Sequence, residues 1–383
     1  MLVLIGAGLS LLVFLCLRGI SVDRSNVHGA QSGTLGVIAM GAFQSGQSQF
    51  VPSTPDLDEG VRTPRSSVLS GTLPYLLRCP SCQSQLATAE EFGYHCSRCE
   101  RRFPVLRGVP RFVNAENYAD SFGFQWQRYA HTWMDDENLC DAEVNFRQQT
   151  GFTPEELRGK LVLDVGCGMG RFAEVATRWG ARVVGIDLSV AAEAAARNLG
   201  GREFVALQAD LSALPFAPET FDHIYSIGVL HHTPDCEQAF KGLPRYLRPG
   251  GNIAIWVYSG YNKWYRFTDV YRKVTHRLSA QTLHKFVSVA VPILYNADRG
   301  LRMLPLVGPH LAGAVHHVFW VSRESDPERR VLATFDWYSP KYQSKHTYEQ
   351  VFRWFESCGL EDLHVGEVSV AVKGRKPFSM RVA

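Results

Sequence analysis

The segment from Leu161 to Gly170 reads LVLDVGCGMG, and no other stretch limits the fold as strongly. Leu161 to Val165 form a short, mostly apolar run, which is typical of a strand buried in a parallel sheet. Alternating glycines then turn the chain into a stretch with helical spacing of apolar residues, and a second apolar run ends at Asp187. This order predicts a strand–helix–strand unit, and therefore an α/β fold built on a Rossmann-like parallel sheet.

The spacing of Gly166, Gly168 and Gly170 indicates which ligand the turn would hold. A dinucleotide fingerprint, G-x-G-x-x-G/A, requires glycine or alanine at position 171, where this chain has Arg171. A nicotinamide cofactor is therefore disfavoured. The G-x-G-x-G pattern with Asp164 before it instead resembles motif I of the class I S-adenosylmethionine (SAM) methyltransferases. The resemblance implies a seven-stranded methyltransferase sheet, with SAM as the methyl donor.

Later motifs in the same order extend this resemblance over residues 150–258 and 336–375. The family pattern implies that Asp187 accepts the ribose hydroxyls and that Asp210 and the amide of Leu211 contact the adenine. It also implies that Asp164 organises the glycine loop and the amino group of SAM. The SAM-binding residues predicted in this way are Asp164, Gly166, Gly168, Gly170, Asp187, Asp210 and Leu211.

His231 and His232 follow the fourth strand of the predicted sheet, at the edge where α/β folds bind ligands. They are the candidate catalytic residues, because a hydroxyl acceptor has to lose a proton to a general base. In that interpretation Asp235 or Asp222 orients the imidazole. The alternative is that the His-His-Thr stretch only shapes the turn and caps the next helix, and the sequence leaves both interpretations open.

Four of the nine cysteines, Cys79, Cys82, Cys96 and Cys99, have the spacing C-x2-C-x13-C-x2-C. Each C-x-x-C pair directs two thiolates to one point, and two pairs complete a tetrahedral zinc site with no open position. The pattern therefore predicts a structural Zn²⁺ rather than a catalytic one, with a redox C-x-x-C as the less specific alternative. The stretch also resembles the small zinc-ribbon family that accompanies several tRNA, rRNA and protein methyltransferases.

The N-terminal region differs in composition from the rest of the chain. Residues 1–17 carry no charge and approach the length of a membrane span, while the following residues are rich in Ser, Gly, Gln, Thr and Pro. Arg18 and Arg24 would keep the remaining chain in the cytoplasm. The predicted organisation is an anchor or meaningless leader (1–20), a disordered linker (21–72), the zinc ribbon (73–115), an aromatic-rich helical cap segment (116–150) and the methyltransferase domain (151–383).

An insertion at residues 259–335 interrupts the methyltransferase domain and has 11 Lys and Arg residues against 5 acids. We expect a helical structure broken at Pro292 and Pro305, with Asp336, Trp337 and Tyr338 lining an acceptor pocket. A lid over the pocket is one interpretation of the insertion. A surface that meets a membrane or a lipid-linked acceptor, together with residues 1–17, is the second, and RNA phosphate contact is the third.

The sequence thus predicts a SAM-dependent methyltransferase of the cytoplasm, associated with a membrane if residues 1–17 are an anchor. The predicted acceptor is a small molecule or a lipid-linked molecule methylated at oxygen. An rRNA or tRNA base methyltransferase is the first alternative, although a formal net charge of +3 over 383 residues gives it no support from overall charge. A non-catalytic partner-binding protein with the same fold is the second.

Overall fold

The computed structural model describes residues 68–89, 93–113, 117–135, 140–261 and 266–378. The predicted anchor at 1–20 and the predicted linker up to residue 67 lie outside these ranges. Within the described ranges, no helix combines the length and the hydropathy needed to cross a bilayer.

A seven-stranded sheet forms the centre of the molecule. Its strands are β6 (Leu161–Val165), β7 (Arg182–Asp187), β8 (Phe204–Gln208), β9 (Phe221–Ile227), β10 (Leu247–Trp256), β11 (Glu361–Val365) and β12 (Ala371–Arg375). Their spatial order is β11-β12-β10-β9-β6-β7-β8. The five strands from β10 to β8 in this order are parallel, whereas β12 pairs antiparallel with both β10 and β11. The predicted Rossmann-like sheet is therefore confirmed.

The core of the fold lies on both faces of this sheet, because all five residues of β6 are buried. Leu163 and Val165 belong to the apolar cluster on one face, and Val162 belongs to the cluster on the other. Helices therefore cover both faces, as expected for a parallel sheet. The helices are α1 (Val68–Leu76), α2 (Asp120–Arg128), α3 (Asp141–Thr150), α4 (Pro154–Leu157), α5 (Arg171–Arg178), α6 (Ala191–Asn198), α7 (Cys236–Lys241), α8 (Arg266–Thr275), α9 (Ala280–Arg302), α10 (Gly308–Val318), α11 (Pro327–Tyr338) and α12 (Tyr348–Ser357).

The cysteine-rich segment forms a small unit of five short strands joined to the β8 edge of the large sheet. Its strands are β1 (Ala87–Ala89), β2 (Gly93–His95), β3 (Arg102–Phe103), β4 (Val105–Leu106) and β5 (Val109–Pro110). Arg111 forms a parallel bridge with Gln208, and the Phe112 amide donates to the Gln208 carbonyl at 2.8 Å. The Arg111 guanidinium also forms a buried ion pair with Glu193 of α6.

Helix α1 begins inside the stretch predicted as a disordered linker. Leu69, Leu73 and Leu77 are buried and belong to the same apolar cluster as the ribbon and one face of the sheet. The amide of Leu69 donates to the Glu203 carboxylate at 3.1 Å. Leucines at a four-residue spacing share one side of a helix, and here that side faces the core. The last residues of the predicted linker, from residue 68 onwards, are therefore part of the fold.

The insertion at 259–335 contributes α8, α9, α10 and most of α11, which together form the helical cap. Pro305 lies in the turn between α9 and α10, as predicted. Pro292, however, lies within the continuous helix α9, so the predicted break at this position is wrong. Pro292 is exposed, and its missing N–H removes one hydrogen bond to the Ser288 carbonyl without ending the helix.

Candidate active site

A cavity of about 600 Å³ lies at the carboxyl ends of the central strands. The segments following β6, β7, β8 and β9 form one part of its wall, and α2, α11 and the end of β10 form the other. Parallel α/β sheets bind ligands at this edge. The charged side chains on the wall are Arg171, Asp187, Asp210 and Asp336.

The glycine turn lines the cavity at Gly166 and Gly168 but not at Gly170. Gly166 has a φ of +81°, and a Cβ atom there would lie closer than 3.0 Å to the Val229 side chain. At Gly168, a Cβ atom would lie 3.3 Å from Nε1 of Trp126. Gly170 instead faces Leu199 after α6, so it serves the packing between α5 and α6.

Asp187 holds the glycine turn in place and also lies on the cavity wall. One carboxylate oxygen accepts a hydrogen bond from the Gly168 amide at 3.0 Å, and the other accepts from the amide and hydroxyl of Ser189 at 2.8 and 2.7 Å. Burial raises the pKa of Asp187, while these hydrogen bonds oppose that shift. Asp210 and Leu211 lie on the same wall, and the Asp210 carboxylate accepts from the Ser212 amide at 2.8 Å.

Asp164 does not lie on the cavity wall. Its side chain lies beside the Tyr225 hydroxyl, and only 3% of the residue is exposed. Burial raises the pKa of Asp164 to about 8, the nearby Asp187 adds to the shift, and the Tyr225 hydroxyl opposes it. The structure therefore places this residue where it can support the turn, and not where it can touch a ligand in the cavity.

The two candidate histidines have different surroundings. His231 is fully buried behind the wall, and burial lowers its pKa well below the usual range. It is therefore shielded from the cavity, which for His231 favours the interpretation that this stretch shapes the turn. His232 lies on the wall, and its Nδ1 donates to the Tyr342 carbonyl at 2.9 Å, which leaves Nε2 as an acceptor. Burial lowers the pKa of His232 to about 4, so the ring is neutral at pH 7.

Neither of the carboxylates predicted to orient these histidines does so. Asp235 caps α7 and accepts a hydrogen bond from the Gln238 amide at 3.0 Å. Asp222 lies near the start of β9, at the opposite end of the strand from the histidines. There it accepts from the Leu161 amide at 2.8 Å and pairs with Arg248 at 2.7 Å.

A column of stacked rings connects His231 to the cap. The ring of His231 stacks on Tyr258 with centroids 3.8 Å apart, Tyr258 stacks on Trp337 at 5.4 Å, and Trp337 stacks on Trp320 at 4.8 Å. Tyr258, Trp337 and Trp320 also line the cavity, whereas His231 forms the buried end of the column. This packing gives His231 a structural role.

Asp336 of α11 places a carboxylate on this aromatic wall. It accepts a hydrogen bond from Nε2 of Gln125 at 3.1 Å, and the Tyr258 hydroxyl lies 3.4 Å from its other oxygen. Burial raises the pKa of Asp336, and these two donors oppose the shift. Sequence reasoning placed Asp336 near the pocket but gave it no chemical role, because no motif marks it.

The four predicted metal ligands lie together at one end of the ribbon. Their sulfur atoms all fall within 4.8 Å of one another, and Cys79 and Cys96 are fully buried. The Sγ–Sγ distances are 3.5 Å between Cys79 and Cys99, 3.4 Å between Cys82 and Cys96, and 3.8 Å between Cys82 and Cys99.

Comparison with known proteins agrees with the fold. Residues 163–255 match the family model described as a methyltransferase domain. A ubiquinone biosynthesis O-methyltransferase from Coxiella burnetii is 29% identical over 160 residues, which cover 40% of this chain and 68% of that protein. Residues 163–255 therefore form a methyltransferase domain of the SAM-dependent class.

Two further relatives of this methyltransferase cover smaller parts of it. The methyltransferase GfsG from Streptomyces halstedii is 40% identical over 123 residues, which cover 30% of this chain and 44% of that protein. A solved SAM-dependent methyltransferase from Mesorhizobium loti is 32% identical to this chain, with a TM-score of 0.26. The matched region covers 30% of this chain and 53% of the Mesorhizobium loti protein. The matched family model ends before the helical cap, so the cap lies outside the part of the methyltransferase that it describes.

Proposed function

We propose that this methyltransferase transfers the methyl group of SAM to a hydroxyl of a largely apolar small molecule. The observation that carries the proposal is Asp336, a carboxylate on the cavity wall beside the stacked rings of Tyr258 and Trp337. Apolar pockets with a few placed polar groups bind small molecules and fix their orientation. Asp336 is the anionic wall residue contributed by the cap side, so it is the group best placed to meet an acceptor.

The donor would occupy the part of the cavity formed by the glycine turn and the ends of β7 and β8. There Gly166 and Gly168 let the backbone approach the ligand, and Asp187, Asp210 and the Leu211 amide supply polar contacts. Gly170 and Asp164 support this region from behind. SAM supplies an electrophilic methyl group on a sulfonium and departs as a neutral thioether.

The chain itself has to align the acceptor and remove a proton from the hydroxyl. Alignment contributes up to about 7–11 kcal/mol to such displacements, and a general base adds about 10²–10⁴-fold in rate. We assign the proton to the Asp336 carboxylate, because it is the anionic group on this part of the wall, whereas burial lowers the pKa of His232 and makes its ring a weak base. The neutral Nε2 of His232 would accept a hydrogen bond and orient the acceptor.

The names of the relatives support an oxygen acceptor of this kind. The Coxiella burnetii protein and a Stutzerimonas stutzeri protein, 28% identical over 194 residues, are both named ubiquinone biosynthesis O-methyltransferases. These names favour a small, lipid-like acceptor. They agree with the apolar character of the cavity wall.

The acceptor atom can be tested with methyl-labelled SAM and two matched probes, a polyprenyl-substituted phenol and the corresponding aniline. We expect label on the phenol oxygen. The Asp336→Asn variant should lose about 10²–10⁴-fold in kcat with unchanged affinity for S-adenosylhomocysteine. His232→Gln is the matched wall variant and should mainly raise KM. Exclusive methylation of the aniline, or full kcat in Asp336→Asn, would contradict the proposal.

The pH dependence provides a second readout for Asp336. The carboxylate must be ionised to accept a proton, so kcat/KM should rise as the pH increases through its pKa. Because burial raises that pKa, the rise should lie above the range of an ordinary aspartate. This limb should disappear in Asp336→Asn and persist in His232→Gln.

The cysteine cluster fits the predicted structural zinc. A tetrahedron of thiolates about 2.3 Å from zinc has edges of about 3.8 Å. The observed Sγ–Sγ distances of 3.4, 3.5 and 3.8 Å are close to that value. We propose that Cys79, Cys82, Cys96 and Cys99 hold one Zn²⁺ and leave no open position for catalysis.

A further inference from the structure

We propose that one side of the helical cap docks onto the surface of an anionic membrane. This docking face consists of the exposed apolar side of α9, the turn from Met303 to Val307 and Leu311 at the start of α10. The inference is independent of the chemistry proposed for the cavity, because none of these residues lines it.

Helix α9 is apolar on two separate sides. Leu283, Val287 and Val291 are buried in a cluster with Phe335 of α11 and Val321. A second apolar row runs along another side of the helix and has no cover among the described residues. Its members and their exposed fractions are Phe286 (40%), Val289 (61%) and Ile293 (57%).

The second row follows the spacing of a helix that lies flat on an interface. Residues three, four and seven positions apart share one side of a helix, which places Phe286, Val289 and Ile293 in line. Continuing the row reaches Ala297 and Gly300, so it extends about 21 Å at 1.5 Å per residue. A helix that is only a lid needs polar residues at these positions, because they face water.

The turn after α9 extends this face with three further exposed apolar side chains. Met303 is 85% exposed, Leu306 is 91% exposed and Val307 is 59% exposed. Leu306 has a φ of +66°, and the Val307 amide donates to the Pro305 carbonyl at 2.8 Å, which closes a three-residue turn. Such turns are rare and strained for a residue with a side chain. Here the strained turn holds a leucine out in solvent.

Basic residues accompany the docking face and indicate the kind of membrane. Arg302 and Arg323 lie near the turn and share the single carboxylate of Asp298 at 2.8 and 3.7 Å. Lys285 and Arg299 are exposed on α9 itself. The whole insertion carries 11 basic and 5 acidic residues. An apolar helix side with basic neighbours is the pattern of interfacial helices that bind anionic lipid.

The same charge argues against a second copy of this chain as the occupant. Two docking faces brought together would place two positively charged insertions side by side, and like charges across an interface oppose association. An anionic bilayer instead attracts each basic residue by about 1 kcal/mol. The exposed aliphatic side chains have no role in binding RNA, whose recognition uses aromatic stacking and phosphate contacts.

The helix that carries the docking face packs on the two helices that supply part of the cavity wall. Helix α9 packs on Phe124 of α2 and Phe335 of α11, next to Gln125 and Asp336 on the cavity wall. Docking would therefore hold the cap, and with it these two helices, at the membrane surface.

Flotation of the full chain with vesicles tests the proposal. The vesicles contain phosphatidylglycerol and phosphatidylcholine, or phosphatidylcholine alone. We expect binding to the anionic vesicles to fall at least about ten-fold in the variant Val289→Asp/Leu306→Asp. The control variant Val144→Asp/Val365→Asp changes two side chains that are 49% and 55% exposed elsewhere, and it should bind like the wild type. Unchanged affinity for S-adenosylhomocysteine shows that each variant is folded.

Hydrogen exchange separates this face from any contribution of residues 1–17. With anionic vesicles, amides at 303–311 should exchange more slowly, while those at 361–365 should not change. Vesicle binding without protection at 303–311 would overturn the proposal, as would a docking-face variant that floats like the wild type. RNA binding in place of vesicle binding would overturn it as well.

Discussion

The glycine turn offers a sharp test of the site, because Gly166 can be compared with Gly159, a glycine outside the turn with a similar backbone conformation. Gly166 and Gly159 both have positive φ angles, +81° and +73°. A Cβ atom at Gly159 would meet nothing within 4 Å, whereas a Cβ atom at Gly166 would lie closer than 3.0 Å to three atoms of Val229. The substitutions Gly159→Ala and Gly166→Ala therefore share the backbone strain, and only the second adds a steric clash.

The expected magnitudes follow from these two effects. Placing alanine in the left-handed region costs about 1–2 kcal/mol, so Gly159→Ala should lower the free energy of unfolding by about that amount. Overpacking adds about 1–3 kcal/mol, so Gly166→Ala should lower it by about 2–5 kcal/mol. Val229→Ala removes the two methyl groups nearest to the new Cβ. The coupling between Gly166→Ala and Val229→Ala should therefore be favourable by about 1–3 kcal/mol.

Urea unfolding followed by tryptophan fluorescence measures these differences, and calorimetry with S-adenosylhomocysteine measures the effect on binding. Gly166→Ala should also weaken this binding, because relief of the clash moves the turn away from Asp187. Equal destabilisation by the two glycine variants would refute the reasoning. Absence of coupling with Val229→Ala would refute it too, because the clash would then not involve that side chain.

Three further predictions concern other parts of the molecule. Burial raises the pKa of Asp164 to about 8 in the folded chain, against an ordinary value near 3.8 in the unfolded chain. The free energy of unfolding should therefore decrease as the pH rises from about 4 to about 8. The variant Asp164→Asn should remove this slope when urea unfolding is measured across that range. Metal analysis of the purified chain should find one zinc per molecule, and Cys96→Ser should lose both the metal and the thermal transition of the ribbon. Arg111→Ala leaves Glu193 buried with weaker partners and should lower stability by about 3 kcal/mol, part of which Arg111→Ala/Glu193→Ala should restore.

The sheet and the glycine turn were predictable because their signals are local. The apolar run from Leu161 to Val165, the glycines after it and the acid at 187 lie within 27 residues of sequence. Each one restricts the backbone or the burial of its own segment, and parallel strands connected by helices then have few possible arrangements. The capping box of Thr153 and Glu156 at the start of α4 is a local feature of the same kind, since it needs only residues three positions apart.

The acceptor side of the cavity was not predictable to the same extent. Asp336 becomes part of the wall because α11 packs on α9 and α2, and these contacts join residues far apart in sequence. His231 and His232 are adjacent, and only the three-dimensional packing shows that one stacks on Tyr258 while the other faces the cavity. The buried pair of Arg111 and Glu193 likewise joins residues 82 positions apart.

The bridge between Arg111 and Gln208 also has a consequence for solubility. Strand β8 ends the sheet on one side, and an uncovered outer strand offers free amides and carbonyls to any passing chain. Here the Phe112 amide donates a hydrogen bond to the Gln208 carbonyl. The Leu69 amide of α1 donates to the carboxylate of Glu203, the residue just before β8. A truncated chain that begins at residue 117 would keep every residue that lines the cavity but would expose this edge. We expect such a chain to self-associate through β8.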